Sequence, residues 1–358
     1  MRWISAWCLL PARLNPASPR PPRTPTAATP TPTLSPTPTG TPTPTATAGT
    51  LAWRIFQNVE VVLRGVSLYT SNDGWASNDG WAVGDGGTIF RWNGSAWNVQ
   101  SSGTTVPLRA VVARDNNFAL AAGDKGTILR WNGSTWSDVV PGDTPNFFSL
   151  SLVPSSTSNG WAGADNGAVY QWNGSGFSTV LQIAPGGVRI RGISIPSNSQ
   201  GWAVTTDSDN RIYQWTGGNT WNSQSTAQNG LNAVFVFDPN NGWAVGEGGT
   251  LVRYSNGNWS SQSSPTNQRL NGIWMWSQTD GWAVGDGGVI LRLQEGTWKT
   301  VTSPTTKNLY AVYALSATEA WAVGDGSHRA LLCPVASGLP QPARQHAAGR
   351  AAARPARP

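Results

Sequence analysis

Residues 51–325 contain no cysteine and no histidine; Cys8, Cys333, His328 and His346 all lie nearer the ends. That absence excludes disulfides, Cys/His metal sites, Ser-His-Asp triads and Cys-His dyads from the central stretch. Charge is scarce as well, at 12% of residues against about a quarter in ordinary globular chains. No run approaches the roughly 18 apolar residues of a membrane-spanning helix. The net charge of +6 belongs to the ends: residues 1–50 hold four arginines, residues 326–358 hold five, and neither segment holds an acid. The central stretch is therefore at −3, and no nucleic-acid partner is expected of it.

Tryptophan, glycine and proline are in excess, at 21, 41 and 26 of 358 residues. Such a chain is poor in helix formers and suited to short strands joined by Gly and Asn turns. Four segments follow. Residues 1–23 are a leader in which Arg2 and the apolar run Trp3–Leu10 form a weak signal segment without an A-x-A site. Residues 24–50 alternate Thr and Pro, the composition of an extended, disordered spacer. Residues 51–326 repeat themselves. Residues 327–358 are rich in Ala, Arg and Pro, and read either as a disordered tail or as the product of a shifted reading frame. On either reading, cutting after Gly338 is expected to cost little stability.

The repeated phrase is G-W-A-V-G-D-G-G-T-I-x-R-W-N-G-S-x-W. Its first Trp falls at Trp81, Trp161, Trp202, Trp243, Trp282 and Trp321, with Leu120 in the second unit, at steps of 39 to 41 residues. Each unit reads as four strands: an apolar leader, Gly-Trp-Ala-Val-Gly, Thr-Ile-x-Arg-Trp, and a last strand opening with Trp97 or its equivalent. Asn-Gly between the third and fourth strands predicts type I′ hairpin turns. Four antiparallel strands every forty residues predict an all-β, seven-bladed β-propeller. Leaders start at Leu63, Leu108, Phe148, Ile190, Leu231, Leu270 and Leu309. In the first unit Ser71–Trp75 recurs as Ser77–Trp81, a tandem duplication that lengthens one turn and leaves a surplus Trp. Trp53-Arg-Ile-Phe56 resembles a fourth strand without a blade of its own, and is expected to complete the last blade and close the ring.

Repeated Trp residues are expected to pack between blades. Trp75 and Trp81 in the lengthened loop are surface candidates, and Trp274 and Trp276 also depart from the repeat. Asp85, Asp124, Asp286 and Glu247 sit one per turn, too sparse for a Ca²⁺ loop, so neither a metal nor a cofactor is expected. The Asn-Gly-Ser sequons at Asn93, Asn132 and Asn173 are explained by turn formation; Asn258-Trp-Ser260 is a fourth. Arg91, Arg130, Arg253 and Arg292 on the third strands are expected to stack on tryptophans. The second leader position is more informative: it reads Arg64, Arg109, Ser149, Arg191, Asn232, Asn271 and Tyr310. A core position does not accept three arginines, so these residues are placed at the mouth of the central channel. Arg64, Arg109, Arg191, Asn232, Asn271 and Tyr310 form the candidate binding site.

The repeat G-W-A-V-G-x-x-G-x-I-x-x-W-x-G-x-x-W resembles that of the photosystem II stability/assembly factor family, related to the sialidase-type Asp-box (BNR) propellers. The resemblance covers about residues 51–326. The full Asp-box reads S-x-D-x-G-x-x-W, whereas Asn93-Gly-Ser-Ala-Trp97 lacks its Ser and Asp. The resemblance implies a non-enzymatic propeller that assists assembly of a membrane complex; the photosystem role itself does not transfer. A quinoprotein-type propeller is the second likeness, but its Asp and Thr-Gly signature is missing. The sequence therefore predicts a non-enzymatic binding or assembly module with no catalytic residues. It is expected to be monomeric, displayed on the Thr/Pro spacer outside the cytoplasm, secreted or at the cell surface. Its expected partner is a protein or peptide with an acidic surface, with association with the cell envelope. The alternatives are a sialidase-type glycoside hydrolase, which needs converging Arg, paired carboxylates and a Tyr nucleophile, and a structural or adhesive surface protein.

Overall fold

Alternating apolar leaders, short Gly-Trp-Ala-Val strands and glycine-bearing turns fold as their periods dictate. The structure, a computed structural model, describes residues 51–57, 59–70, 79–140, 145–206, 209–226, 229–316, 319–325 and 331–336. The leader, the Thr/Pro spacer, the tail after Ala336 and the duplicated turn with Trp75 lie outside the described residues. The described elements are β-strands and three single-turn 3₁₀ segments, Asp85–Gly87, Glu247–Gly249 and Asp286–Gly288. The fold is an all-β propeller of four-stranded antiparallel blades.

Six sheets are each built from one contiguous run, with strands in sequence order. Their innermost strands are Leu63–Tyr69, Leu108–Asp115, Phe147–Leu152, Ile190–Ser197, Leu231–Asp238 and Leu270–Met275; we number these blades one to six. A further four-stranded sheet is composite. It runs Leu309–Ala314, Ala320–Gly324, Leu331–Ala336 and finally Leu51–Gln57. Each innermost strand lies against that of the next sheet, and Leu309–Ala314 lies against both Leu270–Met275 and Leu63–Tyr69.

The repeated Trp is the interblade wedge. Trp81, Trp161 and Trp202 are fully buried, and Trp282 nearly so. Each packs on aromatics from the outer strands of the following sheet. Trp81 lies 4.8 and 4.9 Å from Trp131 and Trp136, Trp161 5.6 and 5.7 Å from Trp215 and Trp221, and Trp202 5.1 Å from Tyr254. Trp282 meets Trp53 at 5.0 Å, and Trp321 meets Trp92 at 4.8 Å. Tilted and edge-to-face aromatic pairs of this kind add about 0.5–1.5 kcal/mol each beyond the area they bury. Leu120 keeps the slot in the second blade, buried beside Trp172.

Two local expectations are corrected. Only Gly, not Asn, has positive φ in Asn93-Gly94, Asn132-Gly133 and Asn173-Gly174. These are not type I′ turns: the Asn93 Oδ1 accepts from the backbone N–H groups of Ser95 and Ala96 at 3.0 and 2.9 Å, closing a four-residue loop. The doubly positive turn occurs instead at Asn256-Gly257 and Glu295-Gly296. The third leader begins at Phe147, not Phe148. Phe147 is buried and pairs with Ala164 as Leu63 pairs with Gly84. The second leader position in that blade is therefore Phe148, and Ser149 is displaced to the third.

Candidate functional site

The second residue of each innermost strand and the acid of the turn between the second and third strands form one unit, because antiparallel pairing brings strand start and turn together. Arg64 holds Asp85 bidentately, at 2.5 and 2.9 Å. Arg109 holds Asp124 in the same fork. The Asn271 amide donates to Asp286 at 2.8 Å, and the Tyr310 hydroxyl to Asp325 at 2.7 Å. Asn232 donates to Glu247 at a longer 3.3 Å. The two asparagines also reach across to the next sheet, donating to the carbonyls of Leu270 and Leu309 at 3.0 and 2.9 Å. The turn acids, assigned from sequence to turn chemistry, are thus the acceptors for the candidate site residues.

Two blades break the unit. Phe148 has no donor, so Asp165 accepts from the Asn146 side chain at 2.6 Å instead. In the fourth blade Ile190 pairs with Thr205, which puts Thr206 where Asp85 stands in the first. The space between is filled by stacking: the guanidinium groups of Arg109, Arg191 and Arg189 lie 4.8, 5.2 and 5.8 Å from the centre of the Phe148 ring.

Arg64, Arg109, Arg191, Asn232, Asn271 and Tyr310 all line one cavity of about 140 Å³, together with Phe148 and Arg269. The lining carries four arginines and no carboxylate. Phe148 was missed because the Phe147-Phe148 pair hides the leader's frame. Arg269 was missed because it precedes its leader by one residue; it reaches back to Glu247 of the fifth blade at 2.8 Å. The hydrogen bond to Asp85 raises the Arg64 pKa above its ordinary value, against desolvation, and Glu247 acts likewise on Arg269. Burial, followed by the bond to Asp325, pushes the Tyr310 hydroxyl up. The mouth is therefore a ring of permanently charged or neutral donors backed by carboxylates, with aromatic faces at Phe148 and Tyr310.

Outside the mouth, one surface candidate falls. Trp81 is fully buried, because it occupies the repeat's interblade slot; Trp75 lies outside the described residues. Trp274 is half-buried, stacked 3.8 Å from Tyr313 and edge-to-face 4.7 Å from Phe235. Trp276 lies 5.8 Å from Arg292. Arg91, Arg130, Arg253 and Arg292 stack on Trp81, Phe118, Trp243 and Trp282 at 5.1–5.9 Å. Arg91 also forms an ion pair with Asp79. Asn93, Asn132 and Asn173 are exposed on turns, and Asn258 is exposed at the start of the strand Asn258–Gln262. Among the described residues, no group of three or more His, Cys, Asp or Glu side chains is placed to hold a metal ion.

Fold and cavity define the class as a β-propeller with a polar cavity lined from several of its innermost strands. No family model matches the chain, and no curated protein does. Solved structures do. YCF48 bound to D1 peptide superposes with a TM-score of 0.62 at 16% identity, over 79% of this chain and 94% of that one. YCF48 from Cyanidioschyzon merolae matches at 0.62 and 18%, over 79% and 98%. The WD40 β-propeller domain of Doa1 matches at 0.63 and 13%, over 79% and 96%. The resemblance to the photosystem II assembly factor is thus one of fold.

Proposed function

We propose that the protein is a non-enzymatic propeller that captures an acidic protein segment at its channel mouth. The observation that carries this reading is the convergence of four arginines, from blades one, two, four and six, on one cavity lined by no carboxylate. Arg64, Arg109 and Arg269 already hold Asp85, Asp124 and Glu247, so an incoming carboxylate would meet their remaining N–H groups, for which a neutral sugar is the poorer acceptor. YCF48 has been solved with a D1 peptide bound, which adds a precedent for peptide capture on this fold. Two features oppose the glycosidase alternative. The Tyr310 hydroxyl is pushed up rather than down, which disfavours a phenolate nucleophile. The carboxylates Asp85, Asp124, Glu247, Asp286 and Asp325 each accept from a neighbouring donor rather than stand in the cavity lining. The reading takes the composite sheet as the seventh blade, with strand Leu51–Gln57 closing the ring. It also takes the domain as monomeric and held outside the cytoplasm, near the cell envelope, by the Thr/Pro segment; cell fractionation tests that placement.

The mouth is tested with the triple variant Arg64→Asn, Arg109→Asn, Arg191→Asn in the full chain. Asn is the residue that blades five and six already use there, so two of the three changes can keep a donor on the turn acid, which alanine would strand. An oligo-glutamate peptide and the source envelope fraction serve as probes. Wild-type capture is expected to weaken with salt and the triple variant to lose most of it. Equal capture by both proteins, at low and physiological salt, overturns the site.

A further inference from the structure

Six of the seven second leader positions carry a hydrogen-bond donor, and the third blade carries a phenyl ring instead, at Phe148. The chain leading into it is firmly tied. Phe147 is buried and packs on Tyr170 and Phe177 at 5.1 and 5.5 Å. Asn146 joins two blades: its Oδ1 accepts from the Lys125 backbone N–H at 2.9 Å, and its side-chain amide and backbone N–H both donate to Asp165, at 2.6 and 3.2 Å. Asp165 is thereby held at the strand start, and it takes no part in the cavity lining. At this position the third blade gives the cavity neither a donor nor a carboxylate, only a half-buried ring.

Guanidinium groups from both neighbouring blades turn to that ring. Arg109 of the second blade and Arg191 of the fourth lie 4.8 and 5.2 Å from its centre, and Arg189 lies 5.8 Å away. Three like charges gathered so closely repel one another. The negative face of an aromatic ring attracts each of them, which an aliphatic side chain of similar bulk does not do. Elsewhere in the cavity acids hold the arginines, Asp85 holding Arg64 and Glu247 holding Arg269. Arg109 has Asp124 behind it, whereas the fourth blade places Thr206 where such an acid stands in the first. The Phe148 ring is what Arg109 and Arg191 share.

We propose that Phe148 is the positioning residue of this cavity. Its ring holds the Arg109 and Arg191 guanidinium groups at a fixed separation, so that one carboxylate of the bound segment bridges their remaining N–H groups. This rests on the capture of an acidic segment proposed above, and it adds where that segment's acid docks: at the third blade, between the second and the fourth, rather than evenly across the cavity. Phe148 itself meets no charge of the ligand. It acts through the two arginines, and an aromatic face is the property it needs.

The probe is a fluorescent oligo-glutamate peptide, titrated against the full-length protein and followed by anisotropy. Phe148→Leu keeps apolar bulk and removes the aromatic face, whereas Phe148→Tyr keeps the face. Phe148→Leu should weaken binding about tenfold, the factor that ~1.4 kcal/mol gives. It should also flatten the dependence on salt, because the two charges no longer act on one carboxylate. Phe148→Tyr should stay within about twofold of wild type, a small fraction of that change. A ring that only fills space predicts the opposite: a lower urea midpoint for Phe148→Leu, with affinity and salt dependence unchanged in the folded protein. Phe148→Met takes the place of Phe148→Leu if the latter does not fold. Wild-type binding equalled by the folded Leu or Met variant overturns the positioning role alone, and so does a Tyr variant as weak as the Leu variant. No saturable binding by the wild type overturns the capture reading, and this inference with it.

Discussion

Arg109 is where the site's electrostatics can be measured against its packing. Its side chain forks onto Asp124, and the two side chains are 25% and 18% exposed. Its guanidinium also lies 4.8 Å from the Phe148 ring. Arg109→Ala removes a charge-assisted fork and leaves a largely buried carboxylate without that donor, a loss of about 1–3 kcal/mol for the hydrogen bonds. Solvent reaching a quarter of the pair moves the value towards the lower end. The cation–π contact adds about 0.5–1 kcal/mol. The expected total is about 2 kcal/mol. Arg109→Asn gives up the stack and the positive charge but can keep one hydrogen bond from a neutral donor to the Asp124 carboxylate, as Asn271 does to Asp286, so it should cost about 1 kcal/mol. The double variant Arg109→Ala, Asp124→Ala removes both partners and should lie close to the Asn variant. Urea unfolding followed by tryptophan fluorescence, with the m-value checked for constancy, measures all three. If Arg109→Asn is as damaging as Arg109→Ala, and the double variant worse than either, the pairing of the second leader residue with its turn acid is not what holds the rim.

Two further outcomes follow from packing and burial. Trp161→Ala should cost about 3–5 kcal/mol, since the indole is fully buried between blades against Trp215 and Trp221; chemical denaturation reads this, and a loss under 1 kcal/mol would show that the wedge is not structural. Burial raises the hydroxyl pKa of Tyr69, Tyr213, Tyr254, Tyr310 and Tyr313, the last to about 12. Their stabilisation is therefore intact below about pH 10, where the unfolded chain starts to release phenolic protons. It is lost as pH rises through the folded-state values, at up to about 1.4 kcal/mol per pH unit for each tyrosine. Melting temperatures from pH 8 to 11.5 should stay level and then fall, and a flat profile to pH 11.5 would refute the burial of these groups.

Much of this fold is local and periodic, and such features are visible in a chain read by itself. The period of about forty, the alternating leaders, the Gly-Trp-Ala-Val strand and the interblade role of the repeated Trp each rest on residue type and spacing. So does the convergence of Arg64, Arg109, Arg191, Asn232, Asn271 and Tyr310 on one cavity, because they stand at equivalent positions of successive propeller sheets. Tertiary structure decided what happens between equivalent positions. The turn acids became partners of those very residues only when antiparallel pairing set strand start beside turn. Arg269 joined the mouth by reaching across a blade boundary, a contact no spacing within one unit encodes. Phe148 entered the lining because the burial of Phe147, not the repeat text, fixed the frame. Trp81 left the surface because a buried slot must be filled in every blade, and the duplicated Ser-Asn-Asp-Gly-Trp leaves either Trp able to fill it on paper. Sequence sets which side chains recur; the packing of one blade on the next sets which of them meet.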